Sequence, residues 1–113
     1  MFEISVAIAL SFAAFQADPL SVAANKLDKC LHKESNKQLA KSMSTKDFRV
    51  FIKTICEPQK SKYVKALTDF EIESGANRTE AVELANDDLK VVLGQIIESY
   101  ADMLTSNTQF GVD

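Results

Sequence analysis

The sequence predicts an all-α fold: a small antiparallel bundle of about four helices that contains a disulfide-linked helical hairpin. Apolar residues recur at spacings of three and four through most of the chain, as in amphipathic helices. Three glycines and two prolines are too few for the many turns of an all-β chain. Two cysteines lie on amphipathic segments at nearly equal distances from a short polar turn. A length of 113 residues indicates one domain.

The first segment differs from the rest because residues 4–17 are almost wholly apolar. As a helix they would reach roughly 21 Å, less than the ~30 Å hydrocarbon core of a bilayer. We therefore predict that residues 1–23 are a signal peptide, with an N-terminal apolar helix as the alternative. The segment carries Glu3 and no basic residue, unlike a typical signal peptide. Export predicts a periplasmic or secreted protein whose helical domain spans residues 24–106.

The first helix of the domain is predicted at residues 20–41. Two sets of side chains recur along it at three- and four-residue spacing, which places each set on one face. The apolar face contains Leu20, Ala24, Leu27, Leu31, Ser35 and Gln38, and the basic face contains Lys26, Lys29, Lys33, Lys37 and Lys41. The basic face is either a solvated surface or a binding surface for anionic headgroups, polysaccharide or an acidic protein. Nucleic acid is not expected, because no aromatic residues interleave with the lysines.

A polar turn at residues 42–47 precedes the second helix. Ser44 followed by Asp47 resembles a capping box at the start of that helix. The helix is expected to end near residue 56, just before Pro58. If Met43 is the midpoint of the turn, Cys30 on the first helix faces Cys56 on the second. We therefore predict a structural disulfide, as expected in an exported chain.

A third helix is predicted from residue 58 to about residue 74, where Gly75 follows its end. Its expected buried stripe is Tyr63, Ala66, Leu67 and Phe70. The fourth helix is predicted at residues 78–106, capped by Asn77 with Glu80 or by Thr79 with Glu83.

The fourth helix carries the widest apolar strip, so we expect it to be the core helix. A glycine in its middle, Gly94, would be explained by close approach of another helix. Residues 107–113 are expected to form a tail, with Phe110 folding back onto the domain. The residues of the strip are Val82, Ala85, Leu89, Val92, Leu93, Ile96, Ile97, Tyr100, Met103 and Leu104.

The charges are distributed unevenly along the chain. Residues 24–65 contain eleven basic and four acidic residues, a net charge of +7, and residues 66–113 contain two basic and ten acidic residues, a net charge of −8. One interpretation is internal, with basic helices attracted to an acidic one. The other is that either surface faces a separate partner.

The sequence offers little support for catalysis. His32 is the only histidine, and two residues of helix separate it from Cys30 by about 200°. No set of three or four metal ligands shares a face, and no glycine-rich phosphate loop is present. We therefore expect no metal site, no catalytic residue and no cofactor, and an enzyme is the least favoured alternative.

Two function classes remain. The first is a non-catalytic binding or structural role at an envelope surface or on a protein partner, by a monomer or weak homodimer that uses the lysines or the acidic face of the fourth helix. The second is a carrier that holds a small apolar ligand between helices. The candidate pocket residues for the carrier are Phe48, Phe51, Tyr63, Phe70 and Tyr100, which would otherwise form the core.

Three features of the chain together resemble a group of known proteins. They are the apolar leader, a cysteine in Leu27-Asp28-Lys29-Cys30 and a second cysteine in Ile55-Cys56. The chain resembles small, mostly uncharacterised, exported helical proteins of bacterial envelopes that carry a single cysteine pair. The resemblance covers about residues 27–103. It implies a helical envelope protein and no established active site.

Overall fold

The computed structural model describes residues 18–111, which form four helices and no β-strand. The helices are α1 (Pro19–Ala40), α2 (Thr45–Phe51), α3 (Glu57–Glu73) and α4 (Arg78–Ser106). The predicted all-α bundle with a disulfide is therefore confirmed. Residues 1–23 were expected to be a signal peptide or an apolar helix; residues 1–17 lie outside the described residues, and residues 19–23 form the first turns of α1. No helix within residues 18–111 combines the length and hydropathy needed to cross a bilayer.

Helix α1 begins one residue before its expected start. The Asp18 carboxylate accepts a hydrogen bond from the Leu20 amide at 3.1 Å, and Pro19 occupies the first turn, where its missing N–H costs nothing. The buried face includes two polar residues, Ser35 and Gln38, as the spacing predicts. Ser35 is satisfied within the helix, because its hydroxyl donates to the Leu31 carbonyl at 2.6 Å.

Helix α2 is shorter than the sequence predicts. It begins at the expected cap, where Ser44 Oγ accepts a hydrogen bond from the Asp47 amide at 3.1 Å. The predicted end near residue 56 is wrong, since the helix stops at Phe51. Side chains bind the carbonyls at this end: Thr54 donates to Phe51 at 2.9 Å and the Lys60 ammonium to Ile52 at 2.6 Å.

The junction between α3 and α4 matches the predicted signals. Gly75 adopts a φ of 113°, and its amide donates to the Ile72 carbonyl at 3.1 Å. Such left-handed residues just past a helix favour glycine, which lacks a Cβ. Helix α4 then begins at Asn77, whose side chain accepts from the Glu80 amide at 2.8 Å.

The helices pack with α3 in the middle, against both α1 and α4. Helix α2 packs on α4, and the C-terminal half of α1 is joined to the same region through the core. The buried side chains form one cluster that includes Leu27, Leu31, Phe48, Ile52, Tyr63, Ile96, Tyr100 and Phe110.

Two further sequence-based interpretations are wrong. Phe70 was expected in the buried stripe of α3, but its side chain is 49% exposed. Helical spacing does not account for this exposure, since at 100° per residue Phe70 lies only about 20° from buried Tyr63. Gly94 does not mark a close helix approach, because a Cβ built there would meet nothing within 4 Å.

Candidate functional site

The disulfide joins the middle of α1 to the start of α3. Cys30 and Cys56 are bonded, with their Cα atoms 6.1 Å apart, which confirms the predicted pair. Cys56 does not lie on α2 as expected. It is the residue that precedes α3, with a left-handed backbone (φ 58°) that reverses the chain between the two helices. The bond therefore fixes the register of α1 against α3.

A groove with a volume of about 980 Å³ runs beside this bond, between α1 and α3. Its apolar floor includes Val22, Ala23 and Ala66 together with Cys30, and Val22 is 41% exposed. The residues from Pro19 to Glu34 line one wall. At ~1.5 Å per residue this wall is about 22 Å long. We call this feature the lysine groove, after the five lysines that line it: Lys26, Lys29, Lys33, Lys62 and Lys65.

The structure divides the predicted basic face of α1. All five of its lysines are exposed, but only Lys26, Lys29 and Lys33 line the lysine groove. Lys37 lies outside it and pairs with Glu34 at 3.1 Å, and Lys41 lies beyond the end of α1.

Sequence reasoning missed the two lysines that α3 contributes, Lys62 and Lys65. They were attributed only to the overall basic charge of residues 24–65. The signal was the disulfide itself, because extending the register from Cys30 and Cys56 along an antiparallel pair places these lysines opposite the start of α1.

Within residues 18–111, one ion pair joins the two oppositely charged halves of the chain, and it lies inside α3 instead of connecting two helices. The ion pairs there are Lys37 with Glu34 and Lys65 with Asp69, and each lies within one helix. A second link between the halves is a hydrogen bond that the Tyr63 hydroxyl on α3 donates to the Asp88 carboxylate on α4. Within the part of the chain that the structure describes, no ion pair therefore connects a basic helix to an acidic one.

Within residues 18–111, the five aromatic residues predicted as a carrier pocket do not lie around one common space. Phe48 and Tyr100 are fully buried and stacked, with ring centroids 3.8 Å apart and an angle of 4° between planes. Phe51 lies 6.2 Å from Phe48, Tyr63 is buried on α3, and Phe70 is exposed. The lysine groove and two smaller cavities of about 420 and 300 Å³ are lined by none of the five.

Tyr100 also connects α4 to the turn between α1 and α2. Its hydroxyl donates to the Met43 carbonyl at 2.7 Å, so the buried phenol is satisfied. Burial raises the pKa of Tyr100. Tyr63 has a pKa raised to about 12, mainly by burial and then by its hydrogen bond to the Asp88 carboxylate. The hydroxyl groups of Tyr63 and Tyr100 thus act as structural hydrogen-bond donors.

A buried cation, Lys60, was not predicted. Its ammonium donates to the carbonyl of Ile52 at the end of α2, where the helix dipole favours a positive charge. Burial lowers the pKa of Lys60, and the nearby Glu57 carboxylate opposes that shift. The signal in the sequence was its spacing, since Lys60, Tyr63 and Leu67 lie on one face of α3.

The end of the described chain is attached to α1. The Asn36 side-chain amide donates to the Phe110 carbonyl at 2.9 Å and its oxygen accepts from the Phe110 amide at 2.8 Å. The Phe110 ring stacks on His32, with centroids 4.7 Å apart. The expected folding back of Phe110 is confirmed, and His32 is half-buried in this contact.

No group of three or more His, Cys, Asp or Glu side chains in residues 18–111 is arranged to hold a metal ion. Comparison of the chain with protein-family models, with curated proteins and with solved structures finds no match. The lysine groove is therefore the candidate site that the geometry itself supports.

Proposed function

We propose that this chain is a small exported helical domain with a non-catalytic binding role, and that its lysine groove binds an acidic amphipathic segment of a protein partner. The observation that carries the proposal is the groove itself. Lysines on both walls flank an apolar floor that is open to solvent.

The shape of the groove favours a rod-like ligand. A concave channel about 22 Å long matches an amphipathic helix laid into a groove, whose apolar side chains contact the floor. Carboxylates along the edges of that helix would meet Lys26, Lys29 and Lys33 on one wall and Lys62 on the other. These four ammonium groups form no ion pair with residues 18–111. A flat bilayer would contact the rims without reaching the floor.

The disulfide supports export, because such bonds persist in oxidising compartments such as the periplasm or the extracellular space. Since Pro19, Val22 and Ala23 line the groove, the proposal requires that a signal peptide end before Asp18 and not after Ala23. His32 supports a non-catalytic role, since its ring packs on Phe110 instead of facing a nucleophile. Aromatic packing does not favour the carrier alternative, as Phe48 and Tyr100 fill the space between their helices.

The test uses a synthetic acidic amphipathic peptide of about 15–20 residues, with leucines at three- and four-residue spacing and glutamates beside them. Its binding to the full chain is measured by fluorescence anisotropy. Replacing Lys29, Lys33 and Lys62 by glutamine is expected to weaken binding by about tenfold or more, because each exposed ion pair contributes up to ~1 kcal/mol.

The matched control replaces Lys41, Lys46 and Lys90 by glutamine, which removes the same charge from exposed positions outside the groove. We expect its affinity to stay near that of the original chain. A peptide of the same composition in scrambled order should bind weakly, because its leucines no longer form one face. Equal losses in both variants would contradict the proposal. Binding to phosphatidylglycerol vesicles but not to the peptide would instead assign the lysines to a lipid surface.

A further inference from the structure

We infer that a partner of the lysine groove is a second copy of this chain, which inserts the outer face of its α4. This inference rests on the proposed function and specifies the acidic helix that it requires. The evidence is a match between two surfaces of the same molecule in charge, composition and length.

The outer face of α4 is an acidic amphipathic surface. At 100° per residue, one stripe lies opposite the buried positions Ala85, Ile96 and Tyr100. Two of its apolar members are exposed, Leu84 by 44% and Val91 by 57%. We call the stripe the acidic ridge; its residues are Glu80, Leu84, Asp87, Val91, Glu98 and Asp102.

The acidic ridge has the chemistry that the lysine groove requires. Exposed leucine and valine alternate with carboxylates, so the apolar side chains can contact the floor while the carboxylates face the lysines. The carboxylates of the ridge form no ion pair with any residue from 18 to 111. They are therefore available to a second molecule.

The lengths also agree. The ridge extends from Glu80 to Asp102, about 33 Å at ~1.5 Å per residue, so it is long enough to cover the whole groove wall of about 22 Å. The ridge cannot enter the groove of its own molecule, because it faces away from the side of α4 that packs on α3. Contact between the two surfaces requires another copy.

The experiment measures self-association of the full chain by sedimentation velocity over a range of concentrations. We expect association that increases with concentration and weakens as salt is added, since exposed charges are screened within ~10 Å at 0.1 M salt. A groove variant carries Lys29→Glu, Lys33→Glu and Lys62→Glu. A ridge variant carries Glu80→Lys, Asp87→Lys and Glu98→Lys. Each variant alone is expected to be monomeric, because its groove and ridge then have charges of the same sign.

A mixture of the two variants provides the decisive measurement. The reversed groove meets the reversed ridge, and the two unchanged surfaces also match, so association should return. Association through residues 1–17 would persist in each single variant and would not depend on mixing. Persistence in both single variants, or a mixture that stays monomeric, would overturn the inference.

The peptide experiment separates this inference from the proposed function. If the original chain is monomeric at every concentration but still binds the acidic peptide through Lys29, Lys33 and Lys62, the second copy is excluded and the groove keeps its role. If neither association nor peptide binding occurs, both the inference and the proposed function fail.

Discussion

The halves of α1 before and after Cys30 are packed in different ways. The later half is enclosed, because Leu31 and Ser35 are fully buried and Asn36 holds the chain at Phe110. The earlier half buries Leu27 on one side and borders the lysine groove on the other. In this earlier half the disulfide holds α3 in place beside α1, and part of the apolar groove floor remains exposed to solvent.

The enclosed end of α1 therefore belongs to the part of the molecule that determines the fold, and the open end belongs to the part that is proposed to bind a partner. Interlocking aromatic rings and satisfied polar groups specify the geometry of the enclosed end. At the open end a covalent bond supplies the register, so the walls of a groove stay in place without a side chain filling the space between them. Changes at the enclosed end should therefore affect stability, and changes at the open end should affect binding.

The largest effect is expected at the aromatic stack. Phe48→Ala should lower the free energy of unfolding by about 3–5 kcal/mol, because it leaves a cavity against Tyr100. Urea unfolding followed by circular dichroism measures the change. Phe70→Ala is the matched control and should cost little, since that ring is 49% exposed. Similar losses in the two variants would refute the division between enclosed and exposed aromatics.

Removing the disulfide tests the open end. The bond links positions 26 residues apart, and the loop-entropy model gives about 3.5 kcal/mol of stabilisation. The double variant Cys30→Ala with Cys56→Ala should lose roughly this amount in urea unfolding. It should also bind the acidic peptide more weakly, because the register of α1 against α3 is then no longer fixed. Unchanged peptide affinity would show that the groove does not need the bond.

The attachment of the chain end to α1 is the next test. Asn36→Ala removes two hydrogen bonds to the Phe110 backbone and should cost about 1–3 kcal/mol. Amide hydrogen exchange at Phe110 should become fast, because its N–H loses its acceptor. His32→Ala, which removes the stacking partner but keeps both hydrogen bonds, should leave that amide partly protected.

Alkaline pH should weaken the link between α3 and α4. The pKa of Tyr63 is raised from 10.0 to about 12, so the folded state holds this proton more tightly than the unfolded state. The contribution of Tyr63 to the free energy of unfolding is complete below pH 10 and is lost as the pH rises through about 12. In thermal unfolding at alkaline pH, Tyr63→Phe should reduce the loss of stability with rising pH. Part of that loss should remain, because the pKa of Tyr100 is also raised.

The smallest expected effect has the opposite sign. Gly94→Ala should stabilise the chain by about 0.5–1 kcal/mol, because glycine weakens a helix interior and the added methyl group meets nothing within 4 Å. Thermal unfolding of dilute protein measures it. A loss of stability would restore the close-approach interpretation of this residue.

The sequence predicted those features that local chemistry determines. Ser44, Asn77 and Gly75 mark helix ends because side-chain caps and a left-handed backbone act within a few residues. The cysteine pair followed from equal distances to the turn. Features that depend on how helices rotate against each other were missed: the burial of Lys60, the exposure of Phe70 and the lysines that α3 adds to the groove. Spacing alone does not fix that rotation.

The direction of the acidic ridge has a consequence for any assembly built through it. When one molecule places its ridge in the groove of a neighbour, its own groove remains vacant and so does the ridge of that neighbour. Such head-to-tail contacts close into a ring only if the rotation between units allows it, and otherwise add units indefinitely. Concentrated protein would then form fibres with two distinct ends, and a trace of the groove variant would stop their elongation at one end only.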